Sequence, residues 1–335
     1  MLQYTRSCRV AILPGMKAYL SPGLRPYVWM LCGCFWFAMM GLLTHDLGRE
    51  ISPGGPPSCP WPVVAFVRSI VATLFAALMA QAAGATFVTF TPRILWVRSL
   101  AGSVSMMATF YALSHLHVTD VLTLTNTFPI WVAILSWPLA AEKPTWGVWV
   151  AVLFSVAGVA VAVQPHNDGF QLVPTGFALF AAFFTAVAMM GLNRLRSVHP
   201  LAVVTHFSAV CTLFGAAGMT VAYTGILDID AAGDPDWYTH PLVWLEIIGV
   251  GLTATVGQLF LTLAFSRGTA TKVAVVGLAQ VVMVMGLEIA LGWKIFEPTM
   301  LLGTVMVLMP VAWLMTRDRR ARQRAVPAIE EAAIE

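Results

Sequence analysis

The chain has 335 residues, 59% of them hydrophobic and only 10% charged. A soluble domain carries about 25% charged residues, so a water-soluble globule is excluded for want of polar surface. The net charge of +3 is unremarkable in total, and no nucleic-acid partner is expected.

Ten apolar runs predict spanning helices at residues 26–43, 61–80, 94–113, 121–141, 146–163, 174–192, 201–223, 242–265, 273–291 and 299–315. Each is long enough to cross a hydrocarbon layer about 30 Å thick. None alternates with period two, which excludes a membrane β-barrel. In lipid every backbone polar group must be paired internally, and continuous helices do that. The expected fold is an all-α integral membrane protein of ten transmembrane helices.

Residues 1–25 read as a disordered cytoplasmic leader. Arg6 and Arg9 resemble the basic start of a signal peptide, but the apolar stretch 10–13 is too short before Pro14; Met16 is an alternative start. The first span carries Cys32, Cys34 and Trp36. Residues 45–60 contain Ser-Pro-Gly-Gly-Pro-Pro and predict an extended outer loop. The second span holds Arg68, about 10 Å deep at 1.5 Å per residue. In the third, Arg98 falls at the cytoplasmic end, where snorkelling accounts for it. Ala101, Ser105 and Thr109 form a small-residue stripe along that span, and Phe110 and Tyr111 lie further along it. His115 and His117 occupy the following turn, where they either couple transport to protons or are inert. Thr123, Asn126 and Thr127 share one face of the fourth span, and Pro129 frees a backbone carbonyl.

In the second half, His206 is the better proton-carrier candidate. Residues 227–240 hold Asp228, Asp230, Asp234 and Asp236. The spacing lacks the glycine and terminal glutamate of a calcium-binding loop, so a solvated outer loop is expected. The eighth span contains Glu246, then Thr253 and Gly257 as small packing residues, and a polar stripe of Thr255, Gln258 and Thr262. The ninth holds Gln280 at mid-depth and Glu288 near its outer end. Residues 317–335 are basic and then acidic, a membrane-end anchor followed by a disordered cytoplasmic tail. Trp29, Trp61, Trp96, Trp137, Trp146, Trp244 and Trp313 fit an interfacial aromatic belt.

Charge fixes orientation. With the N-terminus inside, 16 of the 19 Lys and Arg residues fall in cytoplasmic segments, so both termini are expected in the cytoplasm of a multi-pass inner-membrane protein. The five cysteines (Cys8, Cys32, Cys34, Cys59, Cys211) show no metal spacing and read as small apolar fillers. No metal site, cofactor or catalytic residue is expected, because no hydrolase, metalloprotease or nucleotide-loop signature is present. An enzyme is therefore not expected, and pumping by nucleotide hydrolysis is excluded for this chain alone.

The two halves repeat. Tyr111-Ala-Leu-Ser114 recurs in form as Leu263-Ala-Phe-Ser266, 152 residues later, and Glu142-Lys-Pro-Thr145 as Phe296-Glu-Pro-Thr299. Five spans per half is an odd number, so residues 26–165 and 171–316 must insert upside-down relative to each other. Inverted repeats let a membrane protein exchange inward-open and outward-open shapes of similar energy.

Five short motifs carry a family resemblance: Ala65-Phe-Val-Arg68, Arg98-Ser-Leu-Ala-Gly102 through Phe110-Tyr-Ala-Leu113, Asp120-Val-Leu-Thr-Leu-Thr-Asn-Thr-Phe-Pro129, Glu142-Lys-Pro-Thr-Trp146 with Gly158, and Gly292-Trp-Lys-Ile-Phe-Glu297. In their order and spacing they resemble EamA-type transporters of the drug/metabolite transporter superfamily. The resemblance covers about residues 26–315. It implies ten helices, both ends cytoplasmic, and secondary transport of small metabolites. Ala141-Glu142 and Phe296-Glu297 stand where the family places a glutamate directly after glycine.

The expected function is gradient-driven transport of a small polar or aromatic metabolite by alternating access. The alternative is a non-transporting scaffold or sensor. The expected partners are the lipid bilayer, the small-molecule substrate and a coupling proton or ion. Trp36, Tyr111, Thr123, Asn126, Thr127, Gln258 and Gln280 are the candidate substrate contacts. An amide facing lipid loses its hydrogen bonds, so Asn126, Gln258 and Gln280 should face protein or a wet cavity. Arg68 with Glu288 or Glu246 is the candidate outer latch; the alternative is that each snorkels separately.

Overall fold

The computed structural model describes residues 23–47, 59–87, 90–113, 115–116, 118–140, 143–164, 171–224, 236–293, 295 and 297–331. His117, Glu142, Lys294, Asp228, Asp230, Asp234, most of the leader and most of the 45–60 loop lie outside them.

Ten helices follow in chain order: α1 (Arg25–Leu47), α2 (Trp61–Ala82), α3 (Arg93–Leu113), α4 in two segments (Val118–Thr125 and Phe128–Ala140), α5 (Trp146–Val163), α6 (Leu172–Asn193), α7 (Pro200–Thr224), α8 (Pro241–Arg267), α9 in two segments (Ala270–Gly277 and Ala279–Ala290) and α10 (Pro298–Glu331). Proline begins several of them, as at Pro200, Pro241 and Pro298, where its missing N–H costs nothing and its fixed φ suits the first turn. Nine of these helices are long and apolar enough to span a bilayer. The protein is an all-α integral membrane protein. The exception is α3, which has 21 residues but carries Arg93, Arg98 and the buried serines Ser99, Ser103 and Ser105. Ten is thus the number of helices and nine the number of apolar spans among the described residues.

The disordered tail expected after residue 316 is corrected in part: α10 continues to Glu331. Residues 317–331 are rich in Arg, Ala, Gln and Glu, which lose little rotamer freedom in a helix.

Each helix packs chiefly on helices of the opposite half. The main interfaces are α1–α8 and α3–α6, α2–α7, α5–α10, α2–α8 and α3–α7, α4–α6 and α1–α9, and α4–α9. Exchanging α1 with α6, α2 with α7, α3 with α8, α4 with α9 and α5 with α10 carries this set of pairs onto itself. The main contacts therefore have a two-fold pattern in which the first five helices and the last five trade places.

Small residues set these contacts. A Cβ on Gly303 of α10 would sit 2.5 Å from the Ala162 backbone nitrogen and 2.6 Å from the Gly158 carbonyl oxygen of α5. Gly33 of α1 and Gly257 of α8 pack similarly, with Phe37 closing on Gly257. Ser105, in the predicted small-residue stripe, donates to the Ala181 carbonyl at 2.8 Å and lies 2.6 Å from the Thr185 hydroxyl of α6. Large apolar side chains such as Leu78, Leu213 and Leu245 are exposed, as a lipid-facing surface requires.

Cys59, expected in an outer loop, is buried. Its backbone N–H donates to the Leu47 carbonyl at 3.0 Å, and burial pushes its thiol from 9.0 up to about 12. The attacking species is the thiolate. We expect a maleimide at pH 7.5 to label native Cys59 far more slowly than the denatured chain. The folded state also keeps a proton that the unfolded state releases, so this group's contribution to stability falls as pH rises above 9 toward 12. Rapid native labelling, followed by intact mass, counts against the buried placement.

Candidate functional site

Two helices are interrupted at related places. In α4 the break falls at Asn126 and Thr127. Pro129 has no N–H to give the Thr125 carbonyl, so the helix cannot run through unbroken. The strand of donors there turns inward on its own chain: Asn126 Nδ2 donates to the Leu122 carbonyl at 2.7 Å, Thr127 Oγ1 to Leu124 at 2.6 Å, and Thr125 Oγ1 to Val121 at 2.7 Å. In α9 the break falls at Leu278 without a proline. Here a neighbouring helix supplies the donor: the Cys34 thiol of α1 lies 3.4 Å from the Gly277 carbonyl oxygen. Cys34 is thus a weak hydrogen-bond donor as well as a filler. A Cβ on Gly277 would lie 2.8 Å from Met30 Cε and 3.6 Å from Phe128 Cζ. The two breaks therefore face each other, with α1 against them. Gln280, half-buried, begins the segment beyond the α9 break.

A second feature lies toward the cytoplasmic ends of α3 and α7 as oriented by charge. Arg98 is only 1% exposed, which corrects the expectation that it snorkels to water. Five residues into α3, its guanidinium is enclosed by α6, α7 and α8. Nη2 donates to Gln258 Oε1 at 2.9 Å, and the guanidinium carbon lies 3.8 Å from the Phe207 ring centroid. Gly102 and Gly191 make the space: a Cβ on Gly102 would be 2.7 Å from Arg98 Nη1, and one on Gly191 would be 3.0 Å from Arg98 Cβ. Nε and Nη1 have no acceptor. Beside this group, Ser99 Oγ lies 2.8 Å from His206 Nδ1, and Trp96 meets the His206 ring edge-on at 4.7 Å.

Arg68, seven residues into α2, is also held without a carboxylate among the described residues. Its Nη2 lies 2.7 Å from the Met106 sulfur and its Nη1 3.5 Å from the Met40 sulfur. The Phe110 ring centroid is 5.6 Å from its guanidinium carbon. Its Nε has no acceptor. Sulfur and ring thus surround the Arg68 guanidinium.

The chain matches the EamA-like transporter family over residues 24–164, the stretch that ends with α5. A pseudopaline exporter of Pseudomonas aeruginosa is 26% identical over 239 residues, covering 71% of this chain and 80% of that protein. A riboflavin transporter of Vibrio cholerae is 24% identical over 326 residues, 90% of this chain and 98% of that protein. The second similarity extends over both halves. A solved crystal structure superposes with a TM-score of 0.68 at 15% identity, over 89% of this chain and 99% of that one; this shows the shared fold.

The sequence candidates divide into four places. Asn126, Thr127 and Gln280 gather at the paired breaks, with Thr123 further back on α4. Gln258 is committed to Arg98. Tyr111 stands apart, 4.4 Å from the Phe177 ring and 4.5 Å from His115, while Trp36 packs edge-on against Phe35 at 5.9 Å. Glu246 and Glu288 are half-buried on α8 and α9. A groove of about 370 Å³ lies between α4 and α5 at their joining turn, lined by Ala133, Ile134, Trp137, Lys143, Pro144 and Trp149, with the Lys143 ammonium 5.3 Å from the Trp137 ring. Among the described residues no group of three His, Cys, Asp or Glu side chains is placed to hold a metal.

The sequence reading missed Arg98. The signal was its company: Ser99, Ser103 and Ser105 add polar groups to α3, and each bonds across to α6 or α7. A helix with that many cross-bonded polar groups faces the interior.

Proposed function

We propose that the chain is a secondary transporter of the drug/metabolite transporter superfamily. It carries a small polar or aromatic metabolite across the inner membrane by alternating access, driven by a substrate or ion gradient. The observation that carries this reading is the pair of facing breaks in α4 and α9, at corresponding places of two halves whose packing exchanges. Discontinuous helices in equivalent positions leave backbone carbonyls and half-helix ends at mid-membrane, where transporters bind cargo. The exchangeable packing supports the inverted arrangement of residues 26–165 and 171–316, because two halves of similar energy can trade inner and outer openings. A relative named as an exporter of pseudopaline and another named as a riboflavin transporter agree with a metabolite cargo.

The test is flux. Proteoliposomes with an imposed proton gradient, incubated in a metabolite extract, are expected to enrich a small set of polar metabolites over protein-free liposomes by mass spectrometry. No enrichment under either polarity of gradient overturns transport and favours a scaffold. Tags at both termini are expected to be cleaved in inside-out vesicles and protected in spheroplasts; tags on opposite faces overturn the inverted arrangement.

A further inference from the structure

Two positive charges lie inside the bundle, Arg98 and Arg68. Arg98 has one hydrogen-bond acceptor, Gln258, and Arg68 has two thioether sulfurs. Neither is paired with a carboxylate among the described residues. Ionisable groups at membrane depth are costly and ordinarily paired, and they mark the paths of substrates and ions. Aromatic faces and sulfur atoms polarise toward a cation and soften its desolvation without cancelling its charge.

The two places are related by the exchange of halves. Arg98 of α3 is enclosed by α6, α7 and α8. Exchanging halves turns the set α3, α6, α7, α8 into α8, α1, α2, α3. Those four helices surround Arg68: its own α2, Met40 of α1, Met106 and Phe110 of α3, and Gly251 of α8, whose Cβ would lie 3.0 Å from the Arg68 carbonyl oxygen. One guanidinium thus occupies the inner position and one the outer position of an equivalent four-helix junction. Between them runs a polar seam. Ser103 meets the Cys211 sulfur at 3.3 Å, the next residue Thr212 meets Thr73 at 3.1 Å, and Thr73 donates to the Ser69 carbonyl at 2.7 Å. Ser69 adjoins Arg68 in sequence, and Ser99 adjoins Arg98.

We propose that Arg98 and Arg68 are inner and outer docking points for an organic monocarboxylate, each supplying the single positive charge that the ligand neutralises. This rests on the transport reading and names the cargo class. A guanidinium presents paired N–H donors matched to a carboxylate. One arginine per position balances one negative charge, whereas a phosphate monoester carries about −1.5 to −2 at pH 7 and would remain in excess. Phe207 and Trp96 near the inner position, and Phe110 at the outer one, suit a carboxylate attached to a ring.

The probes are benzoate and indole-3-acetate, each set against its uncharged amide, with purified full-length protein in detergent. Millimolar carboxylate is expected to raise the wild-type Tm by roughly 2–4 °C, and the amides are expected to leave it unchanged. R98M and R68M should each weaken the response at least tenfold in midpoint concentration. Ligand-free R98M should melt no lower than wild type, since it removes an uncompensated buried charge. R98K should fold and respond to benzoate more weakly than wild type. Equal shifts from the amides, an undiminished response in R98M, or no shift from either carboxylate at 50 mM (roughly the upper end of weak binding) overturns the assignment. So does a shift produced only by inorganic phosphate or phosphatidylglycerol, which moves the site to an anionic headgroup. If R98M and R98K both fail to fold, Arg98 is a structural tie and the docking role falls. The two readings separate in flux: liposomes that carry indole-3-acetamide but not indole-3-acetate refute the anion and keep transport, while binding without any flux keeps the anion position and refutes transport.

Discussion

Replacing Gln258 with leucine is expected to destabilise the protein by about 3 kcal/mol, among the largest effects of any single polar substitution in the bundle. Gln258 Oε1 is the one hydrogen-bond acceptor of a guanidinium that is 1% exposed. A hydrogen bond to a charged group contributes about 1.5–3 kcal/mol, and leaving a buried charge without its partner costs about 3–5 kcal/mol. The double variant R98M/Q258L removes the charge together with its acceptor and should recover most of that loss. The cycle is read by chemical denaturation in mixed micelles. A double variant no more stable than Q258L alone would show that Arg98 gains its support elsewhere, from Phe207 and the surrounding helix ends.

The other large effect is expected at Gly303. A side chain there meets α5 backbone rather than a movable side-chain tip, with the Ala162 nitrogen at 2.5 Å and the Gly158 oxygen at 2.6 Å from the first added carbon. Overpacking a core typically costs about 1–3 kcal/mol even where side chains can shift. Here α10 must move off α5 as a body, so Gly303→Leu is expected to reach or exceed the upper end, with poor recovery of folded protein. G158A probes the same crossing from α5, where a Cβ would lie 2.7 Å from Met306 Cβ. The Gly303 carbonyl oxygen at 3.0 Å and the Met306 carbonyl carbon at 3.1 Å come next; these clearances are wider than those around a Cβ on Gly303, so a smaller loss is expected. In size-exclusion profiles and melting curves G158A should be the mildest, G303A intermediate and G303L the worst. A monodisperse, wild-type-stable G303L would mean that the α5–α10 crossing is looser than drawn.

The helices were legible in the chain because length and apolarity are the only demands a bilayer makes on a spanning segment. The run 146–163 became α5 with the same limits, and 61–80 became α2 with two residues added. The α4 break was announced by Pro129. The α9 break was not, since Gly277-Leu278-Ala279 has no residue that forbids a helix; it is stabilised by Cys34, 243 residues away in sequence. The small-residue stripe on α3 was read as packing, and Ser105 does pack against α6. The shared face expected of Thr123, Asn126 and Thr127 presupposed a continuous helix; the helix is interrupted at Asn126 and Thr127, whose donors serve the carbonyls of their own chain.

By itself the sequence determined that this is a multi-helix membrane protein, because hydropathy and helix length are local properties. Tertiary structure alone decided which face of each helix is interior. A spanning helix is apolar on every side, so no stripe separates the face that meets lipid from the face that meets protein. That choice is what buries Arg98 beside Gln258, 160 residues apart in sequence, instead of letting it reach water five residues from its helix end.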